Sequence, residues 1–63
     1  LILEAVFGLP RKYRMPVYLY YYEEYSVAEI AGILGRNPST IQTQLDRARR
    51  KLKKQLEEAG YYE

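Results

Sequence analysis

Apolar positions recur along this chain at helical intervals in three separate stretches. Met15, Tyr18, Leu19 and Tyr22 stand at i, i+3, i+4 and i+7, and so do Val27, Ile30, Ala31 and Leu34. Ile41, Leu45, Ala48, Leu52 and Leu56 follow at steps of 4, 3, 4 and 4. Each set describes one face of an amphipathic helix, and the last predicts the longest helix of the domain. Leu1–Phe7 adds an apolar turn or two, read as the tail of a helix that begins upstream, and the chain itself reads as the C-terminal piece of a longer protein. The tyrosines at 18, 20, 21 and 22 also suit a strand, but the chain offers no second strand to pair with it, and an isolated strand is not viable.

The residues between these stretches punctuate them. Gly8 predicts a helix stop in the left-handed conformation, and Leu9-Pro10 restarts the chain with proline at the first helical position. Pro16 lacks an amide donor, which predicts a kink or two short helices meeting near Arg14 to Pro16. Ser26-Val27-Ala28-Glu29 is a capping box, in which the serine oxygen accepts from the Glu29 amide and the Glu29 carboxylate reaches back to the Ser26 amide. Gly35 suits a left-handed turn. Asn37 reads as an N-cap with Pro38 at the first helical position, and Gly60 ends the last helix, leaving Tyr61-Tyr62-Glu63 to fray. The result is one all-α domain of three to four helices spanning residues 1–63, with no repeat or linker.

Composition narrows the chemistry. The 63 residues include no His, no Cys and no Trp. Thiolate metal sites, disulfides and thiol nucleophiles are therefore absent, and so is the usual general base. Glu23-Glu24 and Glu57-Glu58 are adjacent pairs whose side chains diverge on a helix, so no paired carboxylates are set for acid–base work, and enzymatic activity is not expected. No apolar run reaches the roughly 18 residues of a membrane span. The net charge is only +2, but its distribution is uneven. Residues 1–35 sum to −1 and residues 55–63 to −3, while Arg36, Arg47, Arg49, Arg50, Lys51, Lys53 and Lys54 against Asp46 give residues 36–54 a net of +6. A basic block of this kind is expected where one element faces a polyanion, although Lys and Arg also serve as ordinary surface residues on a long helix.

A short helix, a break at Gly35 to Pro38 and a second, basic helix describe a helix-turn-helix, whose second helix enters the DNA major groove. On a helical wheel the face opposite Ile41, Leu45, Ala48 and Leu52 holds Ser39, Thr43, Asp46, Arg47 and Arg50, with Thr40 and Gln42 at its margins. The groups able to bond base edges come early and the cations come later, the order groove insertion requires. Asp46 is out of place facing a groove and is expected to pair with Arg49 or Arg50 at i+3 or i+4. The alternative for Gln42, Thr43 and Gln44 is a plain solvated helix face.

At this point the residues resemble a known family. Leu9-Pro10, Tyr13-Arg14, Leu19, Tyr21-Tyr22-Glu23, Ser26-x-x-Glu29-Ile30-Ala31-x-x-Leu34-Gly35 and Thr40-Ile41-x-x-x-Leu45-x-Arg47-Ala48-Arg49-x-x-Leu52 look like region 4 of a bacterial sigma-70 family factor of the extracytoplasmic-function type. The Ser26–Gly35 segment is shared with response-regulator helix-turn-helix domains. The Leu45–Leu52 tail joined to the Leu9–Arg14 opening is more specific. The resemblance implies a helix-turn-helix domain of winged-helix-like or sigma region 4 type, without a cofactor or metal, in the cytoplasm. It also implies a role in promoter recognition: the recognition helix binds the −35 element, and an apolar surface docks on the β-subunit flap of RNA polymerase or meets an anti-sigma factor. By that analogy the DNA-contacting positions are Arg36, Ser39, Thr40, Gln42, Thr43, Gln44 and Arg47. Ser26 resembles the family's cap residue, and Arg47 and Arg49 match its basic pair.

Three positions depart from the family pattern. Gln42 and Gln44 are neutral where basic residues are usual, Glu24 stands where glycine is usual, and Tyr25 replaces a leucine. A non-glycine residue in a left-handed turn at position 24 costs on the order of 1 kcal/mol. Tyr18 and Tyr22 are expected in the core. Tyr20 and Tyr21 are expected at its edge, either packed against Leu1–Phe7 or presented as a docking surface. Two further functions stay open: a response-regulator output domain, against which the Arg47-Ala48-Arg49 tail argues, and a protein-binding module built on the tyrosines.

Overall fold

The computed structural model describes residues 3–58 and Gly60. Four helices follow one another: α1 (Leu3–Phe7), α2 (Arg11–Tyr21), α3 (Val27–Leu34) and α4 (Pro38–Glu58). Among the described residues there is no strand, so the all-α expectation holds and no wing accompanies the helices. The expected fraying of Tyr61–Glu63 lies outside the described residues.

Helix α4 is the spine. Its 21 residues rise about 31 Å at ~1.5 Å each and account for most of the 36 Å long axis of the domain. Ile41, Leu45, Ala48 and Leu52 are all buried, as the periodicity predicts, and Leu56 is half-buried. Around this ridge pack Val6 of α1, Leu9, Tyr13, Val17 and Leu19 at and along α2, and Ile30 and Ala31 of α3. No polar or charged residue among those described is buried. At about 1.5–3 kcal/mol per fully buried large aliphatic side chain, Ile41, Leu45 and Leu52 supply much of what stabilises so small a domain.

Helix α2 corrects several expectations. Pro10 sits one residue before the helix, its carbonyl accepting from the Tyr13 and Arg14 amides at 2.9 and 3.2 Å. Pro16 neither breaks nor divides the helix, which runs unbroken through it. The buried stripe is Tyr13, Pro16, Val17 and Leu19 instead of Met15, Tyr18, Leu19 and Tyr22. Met15 is 44% and Tyr22 40% exposed, and Tyr18 is half-buried, so only Leu19 of that set reaches the core. The reason is tertiary: the face of α2 that meets the α4 ridge carries Tyr13, Pro16, Val17 and Leu19, and Tyr13 is covered there although it is a phenol. Tyr22 instead stacks on Tyr18, with ring centroids 5.6 Å apart. Tyr20 and Tyr21 meet edge to face at 5.0 Å and stay exposed, so packing against α1 does not cover them.

The turns follow local rules with two exceptions. Gly8 does not adopt a positive φ: its amide closes α1 on the Glu4 and Ala5 carbonyls at 3.1 and 3.2 Å. Asn37 precedes α4 and its carbonyl accepts from Ile41 at 3.1 Å, but its side chain makes no capping hydrogen bond among the described residues. The Ser26–Glu29 capping box is complete, with Glu29 N–H donating to Ser26 Oγ at 3.1 Å and Ser26 N–H donating to Glu29 Oε1 at 2.9 Å. Gly35 is left-handed at φ 66°, and the Arg36 amide reaches back five residues to Ala31 O at 3.0 Å, the closure that satisfies the last carbonyls of α3. Glu24 has φ 60°, the only non-glycine residue of positive φ among those described. The Tyr25 amide closes that loop on Leu19 O at 3.0 Å, and the 37% exposure of Tyr25 lets its hydroxyl meet water.

Two outcomes are expected. Glu24→Gly removes a left-handed side chain and should stabilise the fold by about 1 kcal/mol, which a thermal melt should show as a rise in Tm of roughly 4–8 °C for a domain of this size. Glu29 is held below its ordinary pKa of 4.5, first by the hydrogen bond from the Ser26 amide and second by the Ser26 hydroxyl. A depressed folded pKa means stability that is present above the ordinary value and is lost as pH falls through the lowered one. Melts recorded between neutral pH and pH ~3 should therefore show a shallower acid loss for Glu29→Gln than for the parent chain. An identical pH dependence would exclude the contribution.

Candidate nucleic-acid interface

The burial of the α4 ridge decides what the helix presents elsewhere. Ser39, Thr40, Gln42, Thr43, Asp46, Arg47 and Arg50 are all exposed, and Gln44 is half-buried. The break from α3 is the three residues Gly35-Arg36-Asn37. These candidate side chains therefore share the second helix of a helix-turn-helix, all but Gln44 on its open surface.

Their individual chemistry is more constrained than a helical wheel shows. Thr43 Oγ1 donates to Ser39 O at 3.0 Å, a bond to the preceding turn that takes the hydroxyl's proton and leaves its oxygen as an acceptor. Asp46 is answered on two sides: Gln42 Nε2 donates to its Oδ1 at 3.3 Å, and Arg49 Nη2 lies 3.6 Å from the same oxygen. Arg49 is therefore the partner among the two candidates, and Arg50 takes no part. With both side chains about half exposed, the pair contributes at most about 1 kcal/mol, but it masks a carboxylate that would repel phosphate. Arg47, Arg50, Lys53 and Lys54 have no ion-pair partner among the described residues. A shallow hollow along the middle of α4 is lined by Asp46, Arg49, Arg50 and Lys53.

Lys12 is the residue that sequence reasoning missed. The start of α2 lies beside the first turns of α4, and Lys12 and Tyr13 line an open cleft of about 290 Å³ with Ser39, Thr40, Thr43, Gln44 and Arg47. The ammonium of Lys12 lies 5.1 Å from the centroid of the Tyr13 ring, and that of Lys51 lies 6.0 Å from it. A signal was present. Arg11 and Lys12 occupy the first turn of a helix that has no acidic residue there, against the sign the helix dipole favours.

Arg36 stands differently from its expected role. It is half-buried, and its Nη1 donates to the backbone carbonyl of Lys12 at 3.3 Å and to Gln44 Oε1 at 3.0 Å. This one side chain joins the turn, α2 and α4. Among the described residues no cluster of acidic or ligating side chains suits a metal, and no described helix is long and apolar enough to cross a membrane.

Comparison with known proteins agrees with this geometry. The family described as Sigma-70, region 4 matches residues 1–52. The ECF RNA polymerase sigma factor SigW of Bacillus subtilis (strain 168) is 40% identical over 55 residues, which cover 87% of this chain and 29% of the relative. The chain therefore spans less than a third of the length of that relative. With the family model matching most of its length and the helix-turn-helix in place, the chain belongs to the sigma-70 region 4 family.

Proposed function

We propose that this domain binds the −35 element of promoter DNA through the exposed face of α4, as the C-terminal domain of a sigma factor that directs RNA polymerase to start transcription in the cytoplasm. The observation that carries this reading is the division of α4. Its aliphatic ridge is sealed into the core, while Ser39, Thr40, Gln42 and Thr43 face outward first and Arg47 and Arg50, with no ion-pair partner among the described residues, follow. A major groove accepts a helix in this order, with base-reading groups near the N-terminus and cations over the flanking phosphates. Lys12 on α2 extends the cationic surface to the other wall of the cleft. The similar Bacillus protein is an RNA polymerase sigma factor by name, which supports carrying the function over.

The β-subunit flap of the polymerase or an anti-sigma factor is the protein partner the family suggests, and the exposed Tyr20 and Tyr21, which meet edge to face, are the aromatic groups such a contact would use.

The DNA reading makes two predictions. Neutralising about four phosphates gives a plot of log K against log salt with a slope between about −3 and −4 in anisotropy titrations on duplex DNA. A flat plot without sequence preference would leave protein binding as the function. Substitution should also separate the two kinds of contact. Arg47→Ala is expected to weaken all duplexes alike, and Thr43→Ala to change preference at one or two base pairs only. Parent-like behaviour of both variants would remove α4 as the docking face.

A further inference from the structure

Pro16 removes the amide that would ordinarily bond the carbonyl four residues before it, which belongs to Lys12. That carbonyl is the one to which Arg36 Nη1 donates from the helix-turn-helix break, at 3.3 Å. The same nitrogen donates to Gln44 Oε1 at 3.0 Å. A guanidinium has donors and no acceptor, so the Gln44 carboxamide cannot turn over without setting N–H against N–H. Its oxygen is committed inward, and the two N–H groups of Nε2 are left to the cleft that Gln44 lines with Thr40, Thr43 and Arg47. A free glutamine offers one donor and one acceptor and bonds adenine through both. Gln44 held in this way turns its two donors to the cleft, with its oxygen already engaged by Arg36.

We propose that Arg36 is a positioning residue for sequence readout: suspended from the backbone carbonyl that Pro16 leaves without an amide donor, it fixes Gln44 as a hydrogen-bond donor toward base-edge acceptors, guanine O6 and N7 or thymine O4. The proposal rests on the DNA-binding function above, and it assigns to Arg36 an effect exerted through Gln44 in place of a direct contact. Gln42 is held differently: one N–H of its Nε2 goes to Asp46, and its other N–H and its oxygen both remain available. The exposed 3.3 Å bond that sets Gln42 has no second anchor, whereas Arg36 is tied at two points.

The experiment uses the chain with a pool of duplexes carrying a randomised window of about 12 base pairs, slightly more than one turn of the helix, followed by anisotropy on duplexes varied one pair at a time. The base pair read by Gln44 is the one at which Gln44→Ala loses preference. There the parent chain should favour guanine or thymine on the contacted strand. Arg36→Lys keeps the charge but not the fork, and should move that one position toward adenine by about five- to ten-fold, with the salt slope and all other positions unchanged. Preference for adenine in the parent, or an Arg36→Lys variant that keeps the parent pattern, would overturn the proposal. So would a salt slope reduced by about one without a change of preference, because Arg36 would then be a plain phosphate contact. Pro16→Ala gives the Lys12 carbonyl a competing amide and should shift the same position in the same direction. It serves also if Arg36→Lys does not fold. The side-chain amide resonances of Gln44 in the DNA-free chain provide an independent readout. They should move in Arg36→Lys, and unmoved resonances would refute the hold on Gln44. A chain that selects no duplex while those resonances move would instead defeat the DNA-binding function and leave the positioning intact.

Discussion

The aliphatic ridge of α4 is the interaction on which the rest of this domain depends. A chain of 63 residues can bury only about 60% of the surface its unfolded form exposes, so little apolar area is available to spare. Ile41, Leu45, Ala48 and Leu52 form one continuous stripe against which α1, α2 and α3 all pack. Rotating α4 to bury any other face would expose three large aliphatic side chains at about 1.5–3 kcal/mol each, a loss of the same order as the whole stability of a small domain. The outward face of α4 is therefore settled by the core, and function is written on what the core leaves over.

What it leaves over is electrostatically unsatisfied. The only carboxylate on the middle of α4 is answered by Arg49 and Gln42, while Arg47, Arg50, Lys53 and Lys54 have no ion-pair partner among the described residues. Like charges one helical turn apart repel modestly, by a few tenths of a kcal/mol per pair. Lys12 at the start of α2 adds a further cation beside them, at a helix end that disfavours it. Each term is small, and all have the same sign. A polyanion relieves them together, which is why a surface that adds nothing to folding suits a nucleic-acid partner.

The polar contacts at the helix-turn-helix show how a local defect is used. Pro16 packs its ring into the core and leaves a carbonyl without its amide donor, and a lone long side chain from a distant turn answers it. Arg36 thereby touches three elements: its amide closes α3, its guanidinium holds α2, and the same guanidinium orients a glutamine of α4. The strained Glu24 turn has no such compensation in the structure, and its positive φ is sustained by the capped helix on one side and the Tyr25–Leu19 hydrogen bond on the other.

Periodicity and punctuation alone settled the all-α class, the capping box at Ser26, the left-handed Gly35 and the two faces of α4, because each depends on residues within one or two turns of one another; local spacing leaves open whether Pro16 divides a helix. The charge block was legible for the same reason. The α2 stripe was misread, since Tyr18 and Tyr22 match helical spacing as well as Tyr13, Pro16 and Val17 do, and only the neighbours in space decide which set is covered. Lys12 beside Thr43 and Arg47, and Arg36 between Lys12 and Gln44, join residues 24 to 35 positions apart or bridge separate helices. No local pattern encodes such contacts. They exist because the ridge of α4 draws α2 against it, and with α2 the one carbonyl that a proline had left unpaired.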